Sequence, residues 1–371
     1  MVGIDAADAR QGGESYHRRR GAEDVSGTWF EREIREQPEV LAGLLAGGRE
    51  RAIEIAERIR HYGPRSVVIA ARGTSSNAGR YAQYVFGARN RLSVALATPS
   101  LYTVYRQPPD LSGTLVVGIS QSGQSADIVS VVEEASRQGA LTLALTNDPT
   151  SPMATASDLC FALLAGVERA VAATKTYTCE LLAVAMISAA LTGDADGWRS
   201  IAATPDAVAT TIEANAGLAQ RSARYAAARH VVVIGRGYNY ATACEVALKL
   251  KETSYVVAEP FSAADFQHGP IAVIEAGFPV ILIAPSGAAF PDVVRLSSRL
   301  TDLGAEIVCV TDQVDAVPEA RLTLPVAPGL PEWLTPIAAV VPGQLLALAQ
   351  AELRGFDPDQ PRGLTKVTQT R

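Results

Sequence analysis

A chain of 371 residues, 48% of them apolar, has enough material for two domains of ordinary size, each with its own core. Its net charge of −6 argues against nucleic acid as the main partner. The first thirty residues are polar, with Glu14, His17 and the basic run Arg18, Arg19 and Arg20 among them, so no signal peptide is expected and the cytoplasm is the expected compartment.

Residues 1–27 are rich in Gly, Ala, Asp and Arg without period and read as a disordered leader. A helix is expected from Thr28, a fitting N-cap with Glu31 three residues on, and Pro38 should begin or kink a second helix reaching about residue 60. Apolar, β-branched runs then alternate with small-residue loops and helical patterns. The clearest strands are 66–71, 93–97, 114–119 and 141–146, and continuous apolar runs of that length suit parallel strands covered on both faces. The longest apolar stretch noted, 181–191, contains Ser188 and reads as a buried helix; no run looks long enough to span a membrane.

The same order returns at 230–235, 279–284 and 306–310. The segment from Arg65 to Gly73 reads against that from Arg229 to Gly237, Ser122 and Gly123 against Ser286 and Gly287, and Asn147 against Asp312, with nearly constant offset. Three matches in order indicate an internal duplication. The expected fold is therefore α/β, with two domains at 28–199 and 200–340, each a parallel sheet with helices on both sides. Residues 200–228 are Ala-rich and helical and would link them. A C-terminal helix and tail follow at 341–371. Past Gly355, the run Asp357, Pro358, Asp359, Gln360, Pro361 and Arg362 forbids regular structure, so the tail must be held by packing or by ligand.

The four cysteines (Cys160, Cys179, Cys244, Cys309) share no C-x-x-C spacing and read as buried free thiols. The histidines (His17, His61, His230, His268) are dispersed, so no zinc site is expected. The strongest local signal is Ser120, Gln121, Ser122, Gly123, Gln124 and Ser125, directly after a strand and before an amphipathic helix. Free backbone N–H groups and the helix dipole favour an anion there, and the serines add neutral donors. Lacking Lys or Arg, the loop suits a phosphate monoester better than a triphosphate; the alternative is a serine-rich cap without ligand. A second hydroxyl-rich loop, from Arg72 to Gly79 with Thr74, Ser75 and Ser76, follows another strand and should emerge at the same sheet edge. Gly235 and Gly237 resemble the start of a dinucleotide fingerprint, but Tyr240 stands at its third glycine position, which weakens a nicotinamide reading.

Glu245, Lys249 and Glu252 are spaced for one helix face, either as an exposed ion-pair ladder or as a catalytic group. His268 precedes Gly269 and Pro270 in an irregular loop, a better place for a functional histidine than for a core one.

Together, the loop 120–127, the run 245–252, the His268 loop, the tail 359–366 and the entry segment 32–38 resemble the double-SIS isomerase half of glutamine–fructose-6-phosphate amidotransferase. The likeness covers the chain from about residue 28 onward. Residues 172–177 and the tail Lys366, Val367 and Thr368 fit most closely the stand-alone SIS-type glucosamine-6-phosphate deaminases. The resemblance implies two tandem SIS domains of flavodoxin-like or Rossmann-like architecture, no cofactor or metal, and a homodimer with shared active sites.

Residue by residue, it implies phosphate binding by Thr74, Ser75, Ser120, Gln121, Ser122 and Ser125, and proton transfer between C1 and C2 by Glu252. Lys249 and Glu245 would lie around the sugar. His268 would open the ring from across a dimer interface, and Lys366 would approach the open-chain carbonyl. Ala173 stands where the amidotransferase has a serine touching the sugar, and Gln124 where it has a glutamate; Asn77 and Gln267 differ as well. With no room for a glutaminase domain, glutamine is not the expected nitrogen source. The expected reaction is deamination of a hexosamine 6-phosphate, glucosamine 6-phosphate plus water giving fructose 6-phosphate and ammonia. Dehydration of the N-acetyl form, simple aldose–ketose isomerisation and a non-catalytic sugar-phosphate sensor are the alternatives.

Overall fold

The computed structural model describes residues 27–366. The expected leader up to residue 26, with its basic run, and Val367 and Thr368 of the tail lie outside them.

The entry segment is one helix, α1 (Trp29–Tyr62), and not two. Thr28 caps it by accepting from the Glu31 amide at 3.2 Å, and Gly63, in the left-handed region at φ 64°, ends it. Pro38 sits inside the helix and cannot donate to the Ile34 carbonyl. The Gln37 side-chain amide donates to that carbonyl at 3.0 Å and to Gln344 at 2.8 Å. A neighbouring side chain thus replaces the lost bond, and the helix runs on.

The first domain follows as β1 (Ser66–Ala70), α2 (Gly73–Asn90), β2 (Ser93–Leu96), α3 (Ser100–Thr103), β3 (Thr114–Ile119), α4 (Ala126–Arg137), β4 (Leu141–Thr146), α5 (Pro152–Ala156), β5 (Leu159–Ala162) and α6 (Lys175–Thr192). Helices α7 (Ala195–Ala202), α8 (Thr204–Ala214) and α9 (Leu218–Ser222) make the link. The second domain is β6 (His230–Gly235), α10 (Tyr240–Ser254), β7 (Val257–Ser262), α11 (Ala263–Phe266), β8 (Pro279–Ile283), α12 (Phe290–Asp302), β9 (Glu306–Thr311), β10 (Leu322–Pro325) and α13 (Thr335–Leu353).

Each sheet has five strands and every pairing is parallel. The orders β2-β1-β3-β4-β5 and β7-β6-β8-β9-β10 are the same arrangement repeated, as the duplication requires. The central strands β3 and β4 are buried along their whole length and were the ones easiest to read. The unexpected strands β5, β7 and β10 all lie at sheet edges. Their burial alternates or fails, and β7 carries Pro260, which an edge strand tolerates because one side of it needs no donor.

One continuous apolar core joins the two sheets through α1, α2, α6, α8, α10 and α13, and a smaller core lies on the far face of each sheet. Helices α6 and α13 are apolar all round, the pattern of helices enclosed on every side. The stretch Glu332–Leu353, with a mean hydropathy of 1.4, is long and apolar enough to cross a bilayer, contrary to the expectation that no run was; all of its apolar window is buried inside the protein. The C-terminal helix also begins at Thr335, earlier than the expected boundary at 341. All four cysteines are free; three are buried and Cys160 is half-buried.

From Phe356 to Lys366 the tail has no helix or strand and is held by side chains. The Asp359 carboxylate accepts from the first free amides of α1, Trp29 at 2.7 Å and Phe30 at 2.8 Å. The Arg362 guanidinium lies 4.4 Å from the ring centre of Tyr255 and 4.9 Å from that of Phe356. Replacing Asp359 with Ala removes a helix-capping anion, so stability should fall by about 1 kcal/mol. The midpoint of thermal unfolding should drop accordingly, and an unchanged midpoint would show that the tail is fixed elsewhere.

Candidate active site

In the order β2-β1-β3-β4-β5 the chain reverses direction between β1 and β3, and the loops leaving those strands diverge to leave a crevice at their carboxyl ends. Strand β1 delivers Arg72 and the first turn of α2, with Thr74 and Ser75. Strand β3 delivers the serine loop and the start of α4. Gly123 adopts φ +61°, and a Cβ there would lie 2.0 Å from the Ser151 hydroxyl, so the turn admits only glycine. Ser120 and Ser122 hydroxyls accept from the Gly123 and Gln124 amides at 3.2 and 3.3 Å, which fixes the loop's shape. Arg72 donates to the buried Asp127 at 2.7 Å and ties the two loops together.

The crevice is a cavity of about 300 Å³. Thr74, Ser75, Ser120, Gln121, Ser122, Ser125, Ala173, Glu252 and Lys366 all line it. Arg72, Val171, Thr176, Glu180, Leu364 and Thr365 complete the wall and were not among the expected site residues. Arg72 brings to the anion cradle the cation that the serine loop lacks.

Helix α10 crosses from the second domain to pack on α2, so the run 245–252 is no exposed ladder. Lys249 and Glu245 are wholly buried, while the Glu252 side chain keeps 21% exposure at the cavity. The Lys249 ammonium lies 2.6 Å from Glu252 and 3.2 Å from Glu245, and donates to the Thr74 hydroxyl at 3.1 Å. Glu245 also accepts from Thr74 at 3.0 Å and from Asn77 at 2.7 Å. Burial alone would lower the Lys249 pKa, but the two carboxylates outweigh it and hold it above the ordinary lysine value. Burial raises the Glu245 carboxyl, with Lys249 and the Asn77 amide opposing. Glu245 and Lys249 therefore stand behind the wall, under Thr74, and Glu252 is the member of the trio that reaches the cavity.

The remaining wall is the loop before α6. The Glu33 carboxylate on α1 accepts from the amides of Arg169 and Ala170, and Lys175 pairs with Glu36 at 2.6 Å, so α1 anchors this loop. Glu168 accepts from the Thr174 amide at 2.9 Å and the Thr176 hydroxyl at 2.7 Å. Lys366, arriving on the tail, lies 2.8 Å from Glu168 and donates to the Ala170 carbonyl at 2.6 Å. Burial would raise the Glu168 carboxyl, but the Lys366 ammonium and these donors more than offset it and keep it below the usual value.

His268 is not brought to this cavity. It is exposed in the turn after α11, where its amide donates to the Asp265 carbonyl at 3.0 Å. Among the described residues no cluster of three or more His, Cys, Asp or Glu side chains is arranged to hold a metal ion. The geometry can seat a small anion at the β1 and β3 loops and present one carboxylate, Glu252, to whatever that anion is attached to. Of the residues missed, Glu180 had a signal: a lone acid inside the apolar stretch of α6.

The SIS domain family matches residues 62–190 and 224–351. Glutamine–fructose-6-phosphate aminotransferase (isomerizing) of Bradyrhizobium diazoefficiens is 35% identical over 353 residues, covering 90% of this chain and 58% of that protein. The enzyme of the same name from Thermococcus kodakarensis is 35% identical over 347 residues, covering 90% and 57%. The chain thus spans little more than half the length of these curated relatives. Among solved structures, the C-terminal domain of glucosamine-fructose-6-phosphate aminotransferase from Francisella tularensis matches with a TM-score of 0.83 at 26% identity, covering 92% of this chain and all of that one. Glucosamine-6-phosphate deaminase from Thermotoga maritima shares the fold, with a TM-score of 0.74 at 21% identity over 92% of this chain and all of that one. With both halves matched and in the duplicated order of strands, the chain belongs to the SIS family and carries two SIS domains.

Proposed function

We propose that this chain is a cytoplasmic hexosamine-phosphate deaminase that converts glucosamine 6-phosphate and water to fructose 6-phosphate and ammonia. The observation that carries the reading is the single cavity shared by Glu252 and the serine turn, with the Lys249 ammonium 2.6 Å from the Glu252 carboxylate. A phosphate at the turn accepts from the open amides at the start of α4, from the serine hydroxyls and from Arg72. The sugar then extends towards Glu252. Once the ring is open, Glu252 takes the C2 proton, which the adjacent aldehyde acidifies, and returns it to C1. The product is a C2 imine, and water adds to it, releases ammonia and leaves the C2 ketone. Every step is proton transfer or hydration, so the chemistry asks for no redox partner.

Lys366, held across the cavity by Glu168, is the residue nearest the tail to approach the open-chain carbonyl. Ring opening needs an acid–base group, and we assign it to His268 of a second copy in a homodimer. The likeness to enzymes of sugar phosphates supports this substrate class.

Incubation with glucosamine 6-phosphate should release one ammonia per fructose 6-phosphate formed. Turnover of the N-acetyl form to an unsaturated, ultraviolet-absorbing product would instead assign a dehydratase, and interconversion of fructose 6-phosphate with an aldose alone would assign an isomerase. Binding without turnover of any of these would assign a sensor. Glu252→Gln should retain sugar-phosphate binding and lose at least about a hundredfold in kcat, the loss expected of a general base; near-normal kcat would remove Glu252 from the mechanism. Mixing Glu252→Gln and His268→Ala proteins should restore part of the activity through hybrid dimers, and no recovery after verified subunit exchange would refute the shared site.

A further inference from the structure

The cavity contains one buried acid that the proton transfer does not employ. Glu180 lies on α6 one helical turn beyond Thr176, both residues line the cavity, and Glu180 is only 1% exposed. Its Oε1 accepts the Ser75 hydroxyl at 2.7 Å. Its Oε2 has no hydrogen-bond partner among the described residues. Buried polar atoms are nearly always partnered, and one left unpartnered on a residue that lines a binding cavity is placed for a group that arrives with the ligand.

The charged surroundings indicate which group. Around Glu180 stand Glu245, Lys249 and Glu252 of α10, Glu168 of the loop before α6, Lys366 of the tail and Arg72 at the start of α2. Arg72 is already paired with Asp127. What remains is four carboxyl groups against the two ammonium groups of Lys249 and Lys366, a surplus of acid that favours a cation. Burial, chiefly, pushes the Glu180 carboxyl up to about 8; the Ser75 hydroxyl opposes this, Glu245 and Glu168 add to it, and Lys249 works against it. At neutral pH the empty cavity therefore holds a proton on Glu180.

We propose that Glu180 is a specificity-determining residue whose unpartnered Oε2 receives the amino group of the bound sugar phosphate, so that the site prefers an amino sugar to its hydroxyl counterpart. This rests on the sugar-phosphate reading of the cavity and narrows it to amines. An arriving ammonium displaces the Glu180 proton to solvent and forms a charge-assisted hydrogen bond with the carboxylate; one proton leaves and no covalent bond changes. A hydroxyl gains no such bond.

The test is calorimetric titration of the wild-type chain at pH 7 with 2-amino-2-deoxyglucitol 6-phosphate and with glucitol 6-phosphate, in two buffers of different ionisation enthalpy. Neither ligand has a carbonyl, so neither is turned over, and their common phosphate cancels in the comparison. The amine should bind at least about tenfold more tightly, the gain of one charge-assisted hydrogen bond. It should also release about one proton more than the hydroxyl ligand. Glu180→Gln should abolish both differences. A preference for the amine that persists in Glu180→Gln would overturn the assignment. So would equal affinity and equal proton release in the wild type, a result that leaves the sugar-phosphate reading intact. Failure of both ligands to bind would remove that reading and this one with it. The wild-type comparison decides alone should the variant not fold.

Discussion

The structure turns on a buried lysine. Lys249 lies fully enclosed between two sheets, held by Glu245 on one side and Glu252 on the other, and its third contact is the Thr74 hydroxyl of the opposite domain. Burying Lys249 and Glu245 carries a desolvation cost that packing alone would not select, and leaving a buried charge unpaired typically costs about 3–5 kcal/mol. What the trio gains is position. Its ion pairs lie within α10, but the hydrogen bonds of Lys249 and Glu245 to Thr74 and Asn77 cross to α2 and can form only when the two helices are in register. The carboxylate that faces the cavity therefore has a fixed relation to the anion cradle on the other domain. Coupling the fold to the site in this way makes domain docking and active-site assembly the same event.

The duplication shows how two equal halves come to play unequal parts. Both sheets reverse direction at corresponding points, between β1 and β3 and between β6 and β8, so both should offer an anion-binding crevice. In the first half the crevice is open. In the second, the amides of Ala288 and Ala289, just before α12, already donate to the Glu332 carboxylate at 2.8 and 3.0 Å. Gly287, at the position that matches Gly123, is pressed against that side chain. An internal carboxylate thus satisfies the donors a ligand would use, and the second half contributes α10 to the shared wall.

Much of this was legible in the sequence, and the limits have physical causes. Buried central strands reveal themselves because both faces are apolar, so β1, β3, β4, β6, β8 and β9 could be read to within a residue of their ends. Of the four edge strands β2 was read as well, but β7 hides behind Pro260, and β5 and β10 are short and half-buried. No second helix begins at Pro38, because the Gln37 side chain next to it supplies the bond that the proline cannot donate. The serine turn, Glu252 and Lys366 were found as ligand-facing residues and do meet in one cavity. Spacing could place Glu245, Lys249 and Glu252 on one helix face but could not say which way that face pointed. Arg72 and Glu180 were missed for a related reason: each reaches the cavity from an element whose role was already explained, by a strand end in one case and by an apolar helix in the other.

The tail shows how a segment without secondary structure can still be determined. It has no ladder to join, and its prolines forbid one, so it is fixed point by point. Phe356 packs edge-on to Tyr255, Arg362 covers both rings, Asp359 supplies the anion that the N-terminus of α1 lacks, and Lys366 ends on Glu168. Three of these anchors belong to different parts of the molecule: α10's last turn, the start of α1 and the loop before α6. The tail touches both domains on its way and brings Leu364, Thr365 and Lys366 to the cavity. Glu168 also holds Thr174 and Thr176 at the head of α6. Its pairing with Lys366 therefore joins the end of the chain to the helix that carries Glu180. A change in the tail should be felt first at that wall of the site, and only afterwards at the serine turn opposite.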